Sequence, residues 1–465
     1  MNMINVRRLT VMTFLGAGML SGISAQVSPL QVDTLKETKI PDQWDLQSCI
    51  DYAKEQNITI RKNRITAVST QIDVKTAKAA LFPSLSFSTG HQVVNRPYQE
   101  TSSRVSGSEI ISSNSKTSYN GNYGLNASWT LYNGNKRLKT IQQEKLNNQM
   151  AELDVATSEN NIQESIAQVY IQILYAAESV KVNENTLQVS IAQRDRGQEL
   201  LNAGSIAKSD LAQLEAQVST DRYQLVTAQA TLEDYKLQLK QLLELDGENE
   251  MNIYLPALSD ENVLAPLPTK RDVYISALSL RPEIEASKLN VEASELGINI
   301  AKSSYFPTIS LSAGIGTNHT SGSDFTFGEQ VKNGWNNSIG LSVSVPIFNN
   351  RQTKSAVQKA KLQYETSMLS LLDEQKALYK TIESLWLDAN SAQQRYAAAN
   401  EKLKSTQISY ELISEQFNLG MKNTIELLTE KNNLLQAQQE QLQAKYMAIL
   451  NMQLLKFYQG DQLAI

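Results

Sequence analysis

The stretch AKAALFPSLSFSTG at residues 77–90 returns as AKSSYFPTISLSAG at residues 301–314, with half of its letters unchanged. A Phe-Pro pair stands in the middle of both copies, and after it apolar and small polar residues alternate. Proline disfavours the helical conformation of the residue before it, so a helix is expected to end at this pair. An alternation with a period of two predicts a strand that has one apolar face. The predicted helix-to-strand junctions are formed by Phe82, Pro83, Phe306 and Pro307.

Four segments of the chain show this alternation over about ten residues each, a length that lets a tilted strand cross the hydrocarbon core of a membrane. The predicted strands are residues 84–94, 121–132, 308–317 and 337–347. Large aromatic residues fall near the strand ends, where a membrane protein places its interfacial girdle. They are Phe82, Trp129, Tyr132, Phe306, Trp335 and Phe348. The alternation alone fits a soluble antiparallel sheet with one solvated face equally well.

Two polar segments, residues 95–120 and 318–336, separate the strands of each pair. Both are rich in Ser, Thr, Asn and Gly, the residues that dominate turns. They are therefore predicted to be exposed hairpin loops.

Most of the remaining sequence is predicted to be helical, in unusually long segments. Residues 136–199 contain no proline and one glycine, and their apolar residues recur at the heptad steps of three and four that are typical of coiled coils. The segment at residues 211–242 has the same rhythm, which only Asp221 interrupts. The helix predicted for residues 351–417 is about 100 Å long. Helices of this length do not fit inside a compact soluble domain.

The second half of the chain repeats the order of elements of the first. Pro83 matches Pro307 at an offset of 224 residues and Gly204 matches Gly420 at an offset of 216, so the first strand loop is longer. Each half is predicted to contain a helix, two strands, a long helix, a glycine turn and a further helix. The predicted segments are a signal peptide at residues 1–25, a first repeat at 26–245, a linker at 246–270 and a second repeat with the C-terminal segment at 271–465.

The start of the chain has the pattern of a secretory signal peptide. Arg7 and Arg8 precede an apolar run, ending at Leu20, that is too short to span a bilayer. Cys49 is the only cysteine, so a small buried apolar role is expected for it rather than a disulfide within the chain. The formal net charge of −5 argues against a nucleic-acid partner.

An enzyme is not predicted. The sequence has two histidines, His91 and His319, and one cysteine, so no His-Cys cluster with metal-ligand spacing exists. A glycine-rich phosphate-binding motif between a strand and a helix is also missing. The sequence therefore predicts no catalytic residue, no metal and no cofactor.

Four strands are too few to close a membrane barrel, since the smallest known spanning barrels use eight. Open strand edges in lipid leave backbone groups unpaired at a cost of several kcal/mol each. If the strands lie in a membrane, several chains must therefore share one barrel. The helices that continue from the sheet would then form a long tube on one side of the membrane.

This pattern resembles the TolC-like outer-membrane efflux proteins over about residues 44–458. The resemblance is carried by FPSLSFSTG and FPTISLSAG, by the strand ends LYNGNKR and IFNNRQ, and by the helix turns LLNAGSIAKSDLAQLEAQ and FNLGMKNTIELLTEKNN. It implies a mixed α and membrane-β fold, in which a homotrimer forms a twelve-stranded barrel in the outer-membrane lipid of a Gram-negative bacterium and continues as a periplasmic coiled-coil tunnel. It also implies an exit duct for efflux that docks onto a periplasmic adaptor protein and an inner-membrane pump.

The helix turns are the candidate gate of such a tunnel. Gly204 and Gly420 suit helix ends that require a positive φ. Asp210 and Glu426 follow each glycine by six residues, where a carboxylate can cap the returning helix. Three copies of Glu426 around one axis would also attract cations and repel anions. By resemblance, the residues of the closed periplasmic gate are Asp210, Phe417, Lys422, Glu426 and Thr429.

The resemblance implies a specific role for Lys422 and Asp210 and shows a departure at Phe417. In relatives, links between neighbouring tip helices hold the gate shut, and Lys422 and Asp210 are placed to supply one. Phe417 stands where relatives often carry a tyrosine, and it has no hydroxyl to contribute to that network.

Two other functions remain open at the level of sequence. A channel of this family can export polypeptides in type I secretion instead of small molecules. A secreted coiled-coil structural or adhesive protein with soluble β hairpins is the alternative outside the family.

Overall fold

The computed structural model describes residues 40–98, 102–106, 109–113, 116–246, 251–256, 263–321, 323 and 325–463. The predicted signal peptide lies outside the described residues. Residues Pro41–Ile465 form one structural unit. The described helices are α1 (Leu46–Gln56), α2 (Ile58–Ala79), α3 (Lys136–Asn202), α4 (Lys208–Leu242), α5 (Lys270–Leu280), α6 (Pro282–Ser303), α7 (Phe327–Asn333), α8 (Gln352–Asn418) and α9 (Thr424–Gln459). The described strands are β1 (Ser84–Asn95), β2 (Ser102–Ser106), β3 (Glu109–Ser113), β4 (Thr117–Asn133), β5 (Thr308–Thr320) and β6 (Asn336–Ser344).

The two halves of the chain have matching elements, which confirms the predicted duplication of the fold. The order α2, β1, β4, α3, α4 of the first half returns as α6, β5, β6, α8, α9 in the second. The long helices α3 and α8 each contain 67 residues, and each is therefore about 100 Å long. The returning helices α4 and α9 contain 35 and 36 residues. Each half thus contributes one long antiparallel helical hairpin, α3/α4 or α8/α9.

The Phe-Pro pairs lie between a helix and a strand in both halves. The N–H groups of Phe82 and Phe306 still donate to Ala79 and Ser303, at N···O distances of 3.0 and 3.1 Å. Strands β1 and β5 begin directly after the prolines, at Ser84 and Thr308. The chain enters the long helices through left-handed residues, Gly134 and Asn135 before α3 and Asn350 and Arg351 before α8.

The four long strands form one antiparallel sheet in the order β1-β4-β5-β6, so β4 and β5 join the two halves. Residues Leu85, Ala127, Ala313 and Ile339 pair in one row across all four strands. The next row consists of Ser86, Asn126, Gly314 and Ser338. Because successive residues of a strand point to opposite faces, one face of the sheet is apolar and the other is polar. Strands β1 and β6 are the edges of this sheet.

The strand ends differ from the prediction by three or more residues in three places and by one residue in three others. Strand β4 begins at Thr117, because its pairing with β1 continues as far as Asn95 opposite Thr117. Strand β6 ends at Ser344 instead of residue 347, because Pro346 has no N–H to continue a ladder. Strand β5 runs on to Thr320.

The two segments predicted as hairpin loops contain elements of their own. Strands β2 and β3 pair with each other within residues 95–120. Helix α7 lies within residues 318–336, and Thr326 and Glu329 form a capping box at its start. This box stabilises a helix of only seven residues because it satisfies N–H groups that no helical turn can reach.

Described residues of the predicted linker pack into or against the main hydrophobic core, among them Ile253 and Val263. Trp44, which is 1% exposed, donates its N–H to Asn252 and accepts from the N–H of Tyr254, both at 2.8 Å. Tyr170 of α3 donates its hydroxyl to the Tyr254 carbonyl at 2.6 Å. Cys49 is buried in the same core, as expected, and burial raises the pKa of its thiol to about 12.

None of the helices in the described part of the chain has both the length and the apolar character needed to cross a membrane.

Candidate gate at the helix turns

Both helical hairpins turn through a glycine in the left-handed conformation. Gly204 and Gly420 each have a φ of 73°. The N–H of the residue after each glycine reaches back to a helical carbonyl, from Ser205 to Leu200 at 2.8 Å and from Met421 to Gln416 at 2.9 Å. These bonds satisfy carbonyls that the end of a helix leaves free, as in a Schellman motif. The two turns are therefore the same structural device used twice.

Both predicted carboxylates cap the helix that returns from the turn. Asp210 accepts a hydrogen bond from the N–H of Ala207 at 3.0 Å. Glu426 accepts from the N–H of Asn423 at 3.1 Å, and its own N–H donates to the Asn423 side chain at 2.9 Å. Asn423 and Glu426 thus complete a capping box, while Ala207 has no side-chain acceptor and leaves its box half formed.

Lys422 contacts Glu426 within the chain. Its Nζ lies 2.6 Å from Glu426 Oε1. Together with the N–H of Asn423, the Lys422 ammonium holds the pKa of the Glu426 carboxyl below its ordinary value. Among the ion pairs between described residues, Lys422 is paired with Glu426 and not with Asp210. The predicted Lys422–Asp210 link between neighbouring tip helices is therefore not formed within one chain.

The two remaining predicted residues differ in exposure. Phe417 is 3% exposed and lies in the last turn of α8. Thr429 is exposed and donates its hydroxyl to the Ile425 carbonyl at 2.8 Å. Three apolar side chains around the same turn are exposed: Leu419, Met421 and Ile425.

A buried charged cluster lies a few helical turns from the tips, and the sequence analysis did not assign it. Lys431 of α9 contacts Asp221 of α4 and Ser190 of α3, and Ser190 also donates to Asp221. Burial lowers the pKa of the Lys431 amine, while the hydrogen bond to Asp221 opposes this shift. The signal in the sequence was the interruption of the heptad rhythm at Asp221, which marked a charge at a coiled-coil seam.

No group of three or more His, Cys, Asp or Glu side chains suited to hold a metal ion occurs within the described ranges.

The fold defines a class of protein. Two copies of a unit with paired strands and a very long helical hairpin, a sheet with one apolar face and capped glycine turns are features of outer-membrane channels with a helical tunnel. The chain belongs to the outer membrane efflux protein family, whose pattern matches residues 49–244 and 273–460. The repeated elements, α2 to α4 and α6 to α9, lie within the matched residues.

Individual relatives are distant in sequence and close in fold. The chain is 24% identical over 290 residues to the outer membrane efflux protein BepC of Brucella suis. This match covers 62% of the chain and 60% of BepC. It is 24% identical over 294 residues to the outer membrane protein TolC of Escherichia coli, covering 61% of this chain and 58% of TolC. The match thus spans about three fifths of the length of these curated relatives. The crystal structure of CusC superimposes with a TM-score of 0.75 at 19% identity, covering 90% of this chain and 92% of CusC.

The family assignment bears on the predicted location, fold and class of protein. It confirms the outer membrane as the location and the TolC-like fold. It also agrees with the prediction that the protein is not an enzyme, because the family consists of efflux proteins. The soluble adhesive alternative loses its support.

Proposed function

We propose that this chain forms, as a homotrimer, the exit duct of a tripartite efflux system that exports small molecules by passive conduction through a gated channel. The observation that carries the proposal is a four-stranded sheet that has two open edges and an exposed apolar face, joined directly to helices of about 100 Å. The open edges would leave backbone groups unpaired if a single chain lay in lipid.

The edges of the sheet support a shared barrel, and the number of three chains comes from the resemblance to the TolC-like family. All residues of β6 are exposed, and β1 is nearly as open. On the apolar face, Leu85 is 70% exposed, Phe87 67% and Ile339 83%. Three copies of a four-stranded sheet give twelve strands, which are enough to pair every edge and to turn the apolar face toward outer-membrane lipid.

The mass of the assembly tests this proposal. Light scattering of protein extracted from outer membranes, corrected for bound detergent, is expected to give three times the mass of the mature chain. That mass is slightly below the 51.8 kDa of the full chain because the predicted signal peptide is removed. A folded monomer would contradict the shared barrel.

The proposed gate of this duct lies at the helix turns, around Gly204 and Gly420. In a trimer the capping carboxylates Asp210 and Glu426 recur around the tunnel axis, and the pKa of the Glu426 carboxyl is lowered from its ordinary value by Lys422. Lys422 is in reach of Glu426 in its own chain and is the cation available for a link to Asp210 of a neighbouring chain. Phe417 is buried in the last turn of α8, and Thr429 lies one helical turn deeper.

A periplasmic adaptor protein, acting with an inner-membrane pump, is the proposed partner of the turns. Leu419 is 68% exposed, Met421 65% and Ile425 63%. Exposed apolar side chains grouped at one tip and surrounded by charged residues are typical of a protein-docking surface. The sheet face, by contrast, is the surface proposed to contact lipid.

Removing both charges of the proposed interchain link is expected to favour the open channel. We expect purified Asp210→Ala/Lys422→Ala protein to show a few-fold higher open probability in planar bilayers, since exposed ion pairs each contribute little. Lys404→Ala removes an exposed lysine of α8 away from the turn and serves as the control. Equal open probability of the double variant and the wild type would argue against the link.

A further inference from the structure

A buried ion pair joins the two helical hairpins of one chain. Ser190 of α3, Asp221 of α4 and Lys431 of α9 are 2%, 1% and 3% exposed. Lys431 donates to both of the other side chains, and Ser190 donates to the same carboxylate oxygen of Asp221. The other carboxylate oxygen of Asp221 accepts a hydrogen bond from the Gln217 side chain of α4 at 2.9 Å. Both oxygens of the Asp221 carboxylate thus accept hydrogen bonds from side chains, and the Lys431 ammonium is paired with that carboxylate.

The cluster is close to the turns. Measured from the first residue of each helix, Asp221 lies about 20 Å along α4 and Lys431 about 10 Å along α9. Gln217 also reaches Asn432 of α9 at 3.4 Å, and Gln193 of α3 donates to Tyr410 of α8 at 2.8 Å. Hydrogen bonds thus connect α3/α4 with α8/α9 at several points in this region.

Farther from the tips, the same hairpins are joined by a different chemistry. Ile166 and Ile173 of α3 belong to the main apolar core together with Ala444 and Ile449 of α9. Apolar contact is non-directional, so it tolerates small displacements of one helix along another. An ion pair with fixed hydrogen bonds has one favourable geometry.

The energetic character of the cluster points to a positional role. A buried ion pair contributes little net stability compared with apolar residues of the same size, but separating its partners without hydrating them is strongly unfavourable. The pair therefore selects one position of α9 against α3 and α4. Moving α9 away from that position separates two buried charges, which is unfavourable unless water enters between the hairpins.

We propose that Ser190, Asp221 and Lys431 form a lock that holds the α8/α9 hairpin in the closed position and separates when the tip dilates. This inference rests on the proposed gated channel and adds a second closing contact to it, within each chain and above the turns. Dilation of the tip admits water, and water solvates both charges once they separate.

Removal of both charges is the direct test. The double variant Asp221→Leu/Lys431→Met leaves no unpaired buried charge, so it is expected to fold and assemble. We expect its open probability in planar bilayers to rise on the order of tenfold over the wild type. The exchange Asp221→Lys/Lys431→Asp restores an ion pair between the same helices and is expected to lower the open probability again.

A matched control separates a lock from a general effect of lost ion pairs. Lys402 and Glu440 form an exposed pair inside the single hairpin α8/α9 at 2.7 Å. Lys402→Met/Glu440→Leu is expected to leave the open probability unchanged. Circular dichroism melting of every variant in detergent shows whether a change in opening merely follows a loss of stability.

Three outcomes would overturn the lock. Conducting Asp221→Leu/Lys431→Met channels that open no more often than the wild type would show that the cluster does not hold the closed state. Equal opening of the Lys402 and Asp221 double variants would show a non-specific effect. Absence of conductance in wild type and all variants would overturn the channel itself, and the lock with it.

Discussion

Replacing Leu341 by arginine is expected to prevent assembly of the protein in the outer membrane. Leu341 lies near the middle of β6, is 65% exposed in the single chain and pairs with Leu311 on the apolar face. An arginine on the lipid face at the bilayer midplane costs about 2–4 kcal/mol. A trimer carries this cost three times, so trimers should be nearly absent from purified outer membranes.

The neighbouring residue provides the matched control. Ser342 is exposed, belongs to the same strand and pairs with Ser310 on the polar face. Ser342→Arg introduces the same side chain toward the proposed lumen, where water can solvate it, so near-normal trimer amounts are expected on unheated gels of membrane extracts. Equal assembly of both variants would contradict a membrane location for this face and favour a solvated sheet.

Replacing Arg281 by methionine is expected to cause the largest loss of stability in the helical part. Arg281 is 6% exposed, and its guanidinium donates to Glu164 at 2.6 Å and to Glu283 at 2.9 Å. It also lies over the ring of Tyr458, 4.0 Å from the centroid. Removal leaves two half-buried carboxylates without their cation, which costs about 3 kcal/mol.

Arg64 offers the comparison for this experiment. It pairs with Glu159 at 2.8 Å with 44% of its side chain exposed. Such a surface pair contributes about 0–1 kcal/mol, so Arg64→Met should hardly change thermal unfolding followed by circular dichroism. Similar destabilisation by both substitutions would mean that burial of the Arg281 network has no special energetic role.

The candidate gate was predictable to the extent that its contacts are local. The spacing of Asn423 and Glu426 predicts a capping box, and Lys422 and Glu426 are four residues apart, a distance that places side chains together at a helix start. Gly204 and Gly420 likewise predict left-handed turns at the helix ends, because glycine adopts a positive φ without steric cost. Contacts of these residues with neighbouring chains depend on assembly and stay predictions.

Local sequence determined the element order of this protein. The alternation of residues 84–94, the Phe-Pro pairs and the heptad rhythm each reflect interactions between residues close in the chain, and Pro346, overlooked in the prediction, would have given the end of β6. These signals were sufficient for the duplicated fold and the family resemblance.

Tertiary structure alone decided which distant residues meet. Asp221 was recognisable as a charge at a coiled-coil seam, yet its partner Lys431 lies 210 residues away and carries no mark in the sequence. Arg281 likewise reads as an ordinary charged residue until α3 and α9 enclose it. The physical reason is that the rotation and height of each long helix are set by the packing of all the others, so a buried charge finds its partner only when the whole bundle has formed.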